Sequence, residues 1–240
     1  MLKNRHPKLR RLVSFGIAMG LLFPSVSNFT PASAQPDSNH DIGQADSLWV
    51  VVNKARPLNP LKYKPVNLVV VGSGGVNFNP YQKTMRKDAA MAAVELVKAA
   101  AKLGRGRLVL QSGYRSYAEQ DSVHTRQVSR YGKTKGEALA ARPGYSEHQT
   151  GLAMDVSARG QGCQIRVCFG ETKAGSWLAK NAYKYGFIIR YQNGATPITG
   201  YQYEPWHLRY IGVEVATDMH NKKIHTLEQY FKLPAAPKYP

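Results

Sequence analysis

Apolar positions along the chain change period several times, and each change marks an element. Between residues 84 and 103, Ala89, Ala93, Leu96, Val97 and Ala100 recur at three- and four-residue steps. That spacing predicts one helix, with Gly104 placed to end it. Residues 117–131 can form a second helix: Ser116 is a suitable cap, and Glu119 three residues on completes a capping box. A third helix is expected over 172–185, stopped by Gly186, and two short ones over 213–220 and 226–231. Apolar, β-branched or aromatic runs predict strands at 49–53, 108–110, 152–156, 187–189 and 206–210. Residues 66–71 have the same character but run into Gly72-Ser73-Gly74-Gly75, a turn signal, and Pro57, Pro60 and Pro65 punctuate the extended stretch before them. Helices and strands interleave irregularly with long connections. The expected class is therefore α+β, an antiparallel sheet with flanking helices, rather than a doubly wound parallel sheet.

The first 34 residues follow a different pattern. Lys3, Arg5, Lys8, Arg10 and Arg11 form a basic region without acid, an apolar run covers residues 12–23, and Ala32-Ser33-Ala34 supplies small residues. This is the layout of a secretory signal peptide cleaved after Ala34. The run is roughly a dozen residues, short of the ~20 that a spanning helix needs. No cysteine lies near the cleavage position, which argues against a lipoprotein anchor. Residues 35–47 are polar and aperiodic and read as a linker, and 234–240 as a tail. At 240 residues the chain is long enough for one domain with a sizeable core.

Composition changes this picture in two ways. The formal charge is +18, and five of the positive charges lie in residues 1–34, which leaves about +13 on the remainder. On an exported protein such a charge draws it towards anionic wall polymers or a membrane surface, or serves only to keep it in solution. Nucleic acid is not expected, because zinc-finger spacing, a basic heptad helix and RNA-binding aromatic motifs are all lacking. The two cysteines, Cys163 and Cys168, are close enough to close a small disulfide loop in an oxidising compartment; free thiols are the alternative.

Two short phrases carry the chemistry. In Ser146-Glu147-His148-Gln149-Thr150-Gly151-Leu152-Ala153-Met154-Asp155 a histidine precedes an aspartate by seven positions; in Glu204-Pro205-Trp206-His207 a glutamate precedes a second histidine by three. Two imidazoles and one carboxylate suit a tetrahedral zinc whose fourth position is open to water. A lone buried histidine is more often a hydrogen-bonded core residue, so the joint pattern matters. Asp155 sits in an apolar strand, where a carboxylate is costly unless paired or coordinated. Pro205 holds Glu204 out of helical geometry, so the segment must bend for Glu204 and His207 to reach one metal. Glu204 is then a spare base beside the metal's water, or otherwise a surface ion-pair partner. Arg115, in Ser112-Gly113-Tyr114-Arg115-Ser116, could clamp a carboxylate or stabilise an oxyanion. Taken alone it reads as an ordinary surface arginine.

These pieces, in this order, resemble the VanY-type D-alanyl-D-alanine carboxypeptidases, zinc peptidases of bacterial cell walls. Trp49-Val50-Val51-Val52-Asn53-Lys54 with Arg56-Pro57-Leu58-Asn59-Pro60, the Arg115 phrase, Pro143-Gly144-Tyr145-Ser146 through Asp155, and Glu204 to His207 all match, so the zinc peptidase domain is expected over 48–233. The resemblance implies an α+β fold shared with lysostaphin-like and hedgehog-type domains, His148, Asp155 and His207 as zinc ligands, Glu204 as catalytic base and Arg115 as the residue that polarises the substrate. It implies removal of the terminal D-alanine from peptidoglycan stem peptides. An L,D-carboxypeptidase or a wall endopeptidase would share the same metal site, and a wall-binding module with a structural zinc would not need Glu204. Gln120, Tyr145 and Ser146 are candidates for the pocket that holds the substrate. The Cys163–Cys168 loop is not part of the family pattern.

Overall fold

A computed structural model describes residues 40–71, 77–78, 83–102, 108–160 and 162–240. The expected signal peptide, the turn at Gly72 to Gly75 and the stop at Gly104 lie outside the described residues. In chain order the elements are β1 (Leu68–Val70), β2 (Asn77–Phe78), β3 (Thr84–Arg86), α1 (Lys87–Lys102), β4 (Leu108–Ser112), α2 (Tyr117–Tyr131), α3 (Lys133–Leu139), β5 (Ala153–Ala158), α4 (Lys173–Asn181), β6 (Phe187–Ile189), α5 (Thr196–Thr199), β7 (His207–Tyr210), α6 (Val213–Lys222) and α7 (Leu227–Tyr230). Short 3-10 turns occupy Glu147–Thr150, Val167–Glu171 and Ala182–Tyr185.

Five strands form one sheet in the order β2-β4-β5-β7-β6, antiparallel except for the β2–β4 pair. β1 and β3 form a separate antiparallel pair. The α+β expectation holds. The sheet has two differently used faces. Met154, Val156 and Ala158 of β5, Leu208 of β7, and Phe187 and Ile189 of β6 join the main core with Ala89, Ala93, Leu96, Val97 and Ala100 of α1. Each large side chain buried there contributes roughly 1.5–3 kcal/mol. The alternate residues Asp155, Ser157, His207 and Arg209 must face the other way, because successive side chains on a strand point to opposite sides. That second face is buried too, and it is polar.

The capping box predicted for α2 is present, with Ser116 accepting from the Glu119 backbone and Glu119 reaching back to Ser116. The helix expected over 84–103 begins only at Lys87, because residues 84–86 are taken up by pairing with β1. The strand expected over 49–53 does not form. Its Val50, Val51 and Val52 are all buried, split between the two apolar clusters, and the Val50 and Val51 carbonyls, like that of Leu48 just before, accept from guanidinium groups instead of a ladder. Arg209 Nη2 donates to Leu48 O and Val50 O at 3.1 and 2.7 Å, and Arg56 Nε to Val51 O at 3.3 Å.

The packed body also overruns both expected boundaries. Within the proposed linker, Ala45 is buried in the main core, Ile42 O accepts from Val51 N at 3.1 Å, and the His40 ring stands edge-on to Trp49 at 4.4 Å. In the proposed tail, Ala236 N donates to Ile198 O at 2.7 Å and Tyr239 is buried against Tyr201. No helix among the described residues is long and apolar enough to cross a membrane.

Candidate active site

Strand register assembles the centre of the site. β5 and β7 pair so that Asp155 lies directly opposite His207. Such partners present their side chains on one face, with Cβ atoms about 5 Å apart. On the other side of β5, the β4 pairing slips by one residue between Leu110 and Ser112, which brings Ser112 opposite Asp155. This is the effect of a bulge: the extra residue, Gln111, re-aims the strand end. His148 arrives from the 3-10 turn just before β5. That turn closes on Gly151, whose φ of +71° suits glycine, and a Cβ there would stand 3.1 Å from Arg86 N. Glu204 is brought round by a turn in which His207 N donates to Glu204 O at 3.1 Å, with Pro205 at its second position. The bend that the Glu204-Pro205-Trp206-His207 phrase required is therefore there.

His148 Nε2 lies 3.3 Å from Asp155 Oδ2, and His207 Nδ1 3.1 Å from Asp155 Oδ1. One donor atom from each of the three falls within 4.8 Å of the others. The far nitrogens are committed elsewhere. His148 Nδ1 is 2.7 Å from Gly113 O, which assigns its proton to Nδ1, and His207 Nε2 is 3.2 Å from Glu147 Oε2. Both rings thus turn the opposite nitrogen towards Asp155, as metal-binding imidazoles held by an outer partner do. Two nitrogens and one carboxylate oxygen, all buried and convergent, fit a zinc ion and could hold one.

Charge is unevenly placed around this cluster. Burial would raise the Asp155 carboxyl, but His148 and His207 outweigh it and hold it well below the usual carboxylate range. Burial raises Glu204 to about 8, with His207 and Arg115 opposing the shift. Burial would depress His207, yet hydrogen bonds to Asp155 and Glu147 outweigh it and lift the ring to about 9. Without metal, His207 is then an imidazolium at neutral pH, and Nδ1 must lose its proton to become a ligand. Zinc uptake at pH 7.5 should release between about one and two protons, from His207 and in part from Glu204. Calorimetric titration in buffers of different ionisation enthalpy measures this, and an enthalpy independent of buffer would show that His207 is already neutral.

Opposite the cluster, Arg115 is fixed by three groups. Nη1 donates to Gln120 Oε1 at 2.7 Å, Nη2 to Ser112 Oγ at 2.8 Å, and Nη2 lies 3.9 Å from Asp155 Oδ2. Its buried Nε has no hydrogen-bond partner among the described residues. An unanswered donor of that kind calls for a ligand or water. Gln120 is locked in turn by donating to Ala141 O at 2.7 Å. Gln120 and Ser146 line a cavity of about 170 Å³ together with Arg115, His148, Asp155, Glu204 and His207. Tyr145 is not among the lining residues; its ring stands edge-on to Tyr239 at 5.2 Å. The Cys163–Cys168 disulfide is formed.

The residue without an expected role is Glu147. It is fully buried; Oε1 accepts from Arg190 Nε at 2.9 Å and Arg209 Nη1 at 2.8 Å, while Oε2 faces His207. Arg190 pairs on with Glu228 through two bonds of 2.9 and 2.7 Å, and Asn53 Nδ2 donates to Glu228 at 2.9 Å. A signal existed: Arg190 follows the apolar run of β6 and Arg209 lies between Leu208 and Tyr210 inside β7, where an unpaired cation would be prohibitive. It identifies no partner, however.

This largely antiparallel sheet, with a His/Asp/His donor set gathered on its polar face, matches the fold of VanY- and VanXY-type peptidase structures. Residues 82–213 match the model of VanY, D-alanyl-D-alanine carboxypeptidase, and the chain belongs to that family. It is similar to the putative carboxypeptidase YodJ of Bacillus subtilis (strain 168), with 42% identity over 200 residues, covering 82% of this chain and 71% of that one. Among solved structures it resembles the LdcB LD-carboxypeptidase at 43% identity and a TM-score of 0.71, over 78% of this chain and 87% of the other. It also resembles a mutant of the vancomycin-resistance D,D-pentapeptidase VanY from a VanB-type cassette in complex with Zn(II), at 30% identity and a TM-score of 0.62, over 75% and 97%.

Proposed function

We propose that the protein is a zinc-dependent D-alanyl-D-alanine carboxypeptidase that removes the terminal D-alanine from peptidoglycan stem peptides. The observation that carries this reading is the pairing of a convergent His148/Asp155/His207 set with a second carboxyl, Glu204, raised by burial and 4.0 Å from His207 Nδ1. A structural metal site needs no such base. Zinc, when bound by the three side chains, would supply Lewis acidity to water and to the scissile carbonyl. The chain's own groups do the rest. Glu204 takes a proton from the attacking water as its oxygen adds to the carbonyl carbon, and returns it to the amine nitrogen as the C–N bond breaks. Arg115, steered by Gln120 and Ser112 at the cavity wall, offers its guanidinium charge to substrate oxygen. Asp155 stays ionised, and Glu147 keeps His207 oriented.

A second reading, L,D-carboxypeptidase, is supported by the likeness to LdcB, which is higher in identity and TM-score than that to the D,D-pentapeptidase. Both reactions release D-alanine, from a pentapeptide or from a tetrapeptide stem. Mass spectrometry of the purified chain with each stem separates them. Chelator-sensitive loss of one D-alanine from the pentapeptide alone is the expected result; loss from the tetrapeptide alone would move the assignment to L,D. No cleavage of either by zinc-loaded protein would reject both. Place of action follows the same proposal: the basic and apolar amino terminus supports export, and the net charge of about +13 outside residues 1–34 supports attraction to anionic wall polymers or the membrane surface.

A further inference from the structure

One wall of the catalytic cavity comes from outside the matched phrases. Ile165 lines the cavity that contains Arg115, Asp155 and Glu204, and it lies inside the loop closed by Cys163 and Cys168. Ile165 is 40% exposed, so an aliphatic side chain that lines a polar site is also presented to solvent. The backbone there is held against preference. Ile165 has a φ of +47° and Cys163 +58°, a region that β-branched residues in particular avoid. Such conformations persist only where the surroundings impose them. The imposition is visible: Cys163 packs against the main core, Cys168 precedes Phe169, which is fully buried in that core, and the disulfide joins the two roots of the loop. Val123 of α2 and Leu139 of α3 line the same cavity and add apolar surface beside its charged groups.

We propose that Ile165 is a substrate-binding residue that packs against aliphatic parts of the substrate peptide, and that the Cys163–Cys168 disulfide positions it. This rests on the proposed function in taking the cavity as the peptide site. The metal cluster and Glu204 do not depend on the loop for any contact described above, so the disulfide acts on substrate affinity and leaves the chemical step alone.

The test is steady-state kinetics of the full chain on the stem that it cleaves, with zinc content measured alongside. Ile165→Ala should raise KM roughly tenfold, a shift of about 1.4 kcal/mol, at near-wild-type kcat and unchanged zinc. Ile165→Leu should recover most of it. The double variant Cys163→Ser with Cys168→Ser should raise KM similarly, and adding Ile165→Ala to it should cost little more, since both remove one contact. A KM within twofold of wild type for Ile165→Ala overturns the proposal, even if the double cysteine variant fails to fold. Fully additive effects overturn the role of the disulfide. Should the wild type release no D-alanine, the proposed function fails first. The inference is then decided by calorimetry with the same pentapeptide and tetrapeptide stems: weaker binding by Ile165→Ala upholds it, and equal or absent binding in both proteins overturns it.

Discussion

Replacing Glu204 with glutamine should lower turnover by about 10²–10⁴-fold, the range for losing a positioned acid–base group, while zinc content stays at the wild-type level. Glutamine keeps the shape and a hydrogen-bonding oxygen but cannot accept the water proton. Glu204 is not one of the three convergent donors, so the metal has no reason to leave. The pH profile sharpens the prediction. Burial raises this carboxyl to about 8 in the metal-free site, and a nearby divalent cation favours the ionised form. A base works when deprotonated, so kcat/KM should rise with pH through an acid limb between 4.5 and 8 that the variant lacks. In the metal-free protein the same group acts on stability in a fixed direction. Its folded value is raised, so its contribution is present below 4.5 and is lost as pH rises through about 8. Wild-type turnover in Glu204→Gln would remove the residue from the mechanism.

Glu147→Ala should be the most destabilising single change near the site, by about 3–5 kcal/mol, because it strips a buried cation pair of its shared anion. Arg209 would keep only backbone oxygens, and Arg190 only Glu228. His207 would lose the acceptor that holds its Nε2–H, and zinc affinity should fall about 10–100-fold as for other lost outer partners. Burial would raise Glu147, but Arg190 and Arg209 hold it well below its ordinary 4.5. Its folded value is depressed, so the stability that it contributes is present above 4.5 and is lost as pH falls through that lower value. Urea titration at pH 7 checks the first effect and competition with a chelating dye the second. An unchanged denaturation midpoint would show that the pair is satisfied without Glu147.

The active-site phrases were legible because the information in them is local. A histidine seven residues before an aspartate, and a glutamate three before a histidine across a proline, restrict both ligand type and chain path. The bend at Pro205, the Ser116–Glu119 capping box and the buried stripe of α1 each depend on residues within one or two turns of chain. What joins the phrases is not local. Asp155 meets His207 across 52 residues through strand register, and Glu147 meets Arg190 and Arg209 across 43 and 62. Periodicity states which face of a strand is buried, but not which strand lies beside it, nor whether a buried face is apolar or lined with paired charge. For the same reason residues 49–53, apolar and β-branched, read as a strand yet serve as a buried segment whose carbonyls hold Arg209 and Arg56. The sequence by itself determined the fold class and named the His148, Asp155 and His207 side chains that converge, with Glu204 beside them. The tertiary structure decided which imidazole nitrogens face Asp155, which arginines neutralise Glu147, and that a disulfide loop contributes Ile165 to the cavity, because each depends on partners that only folding brings within a few ångströms.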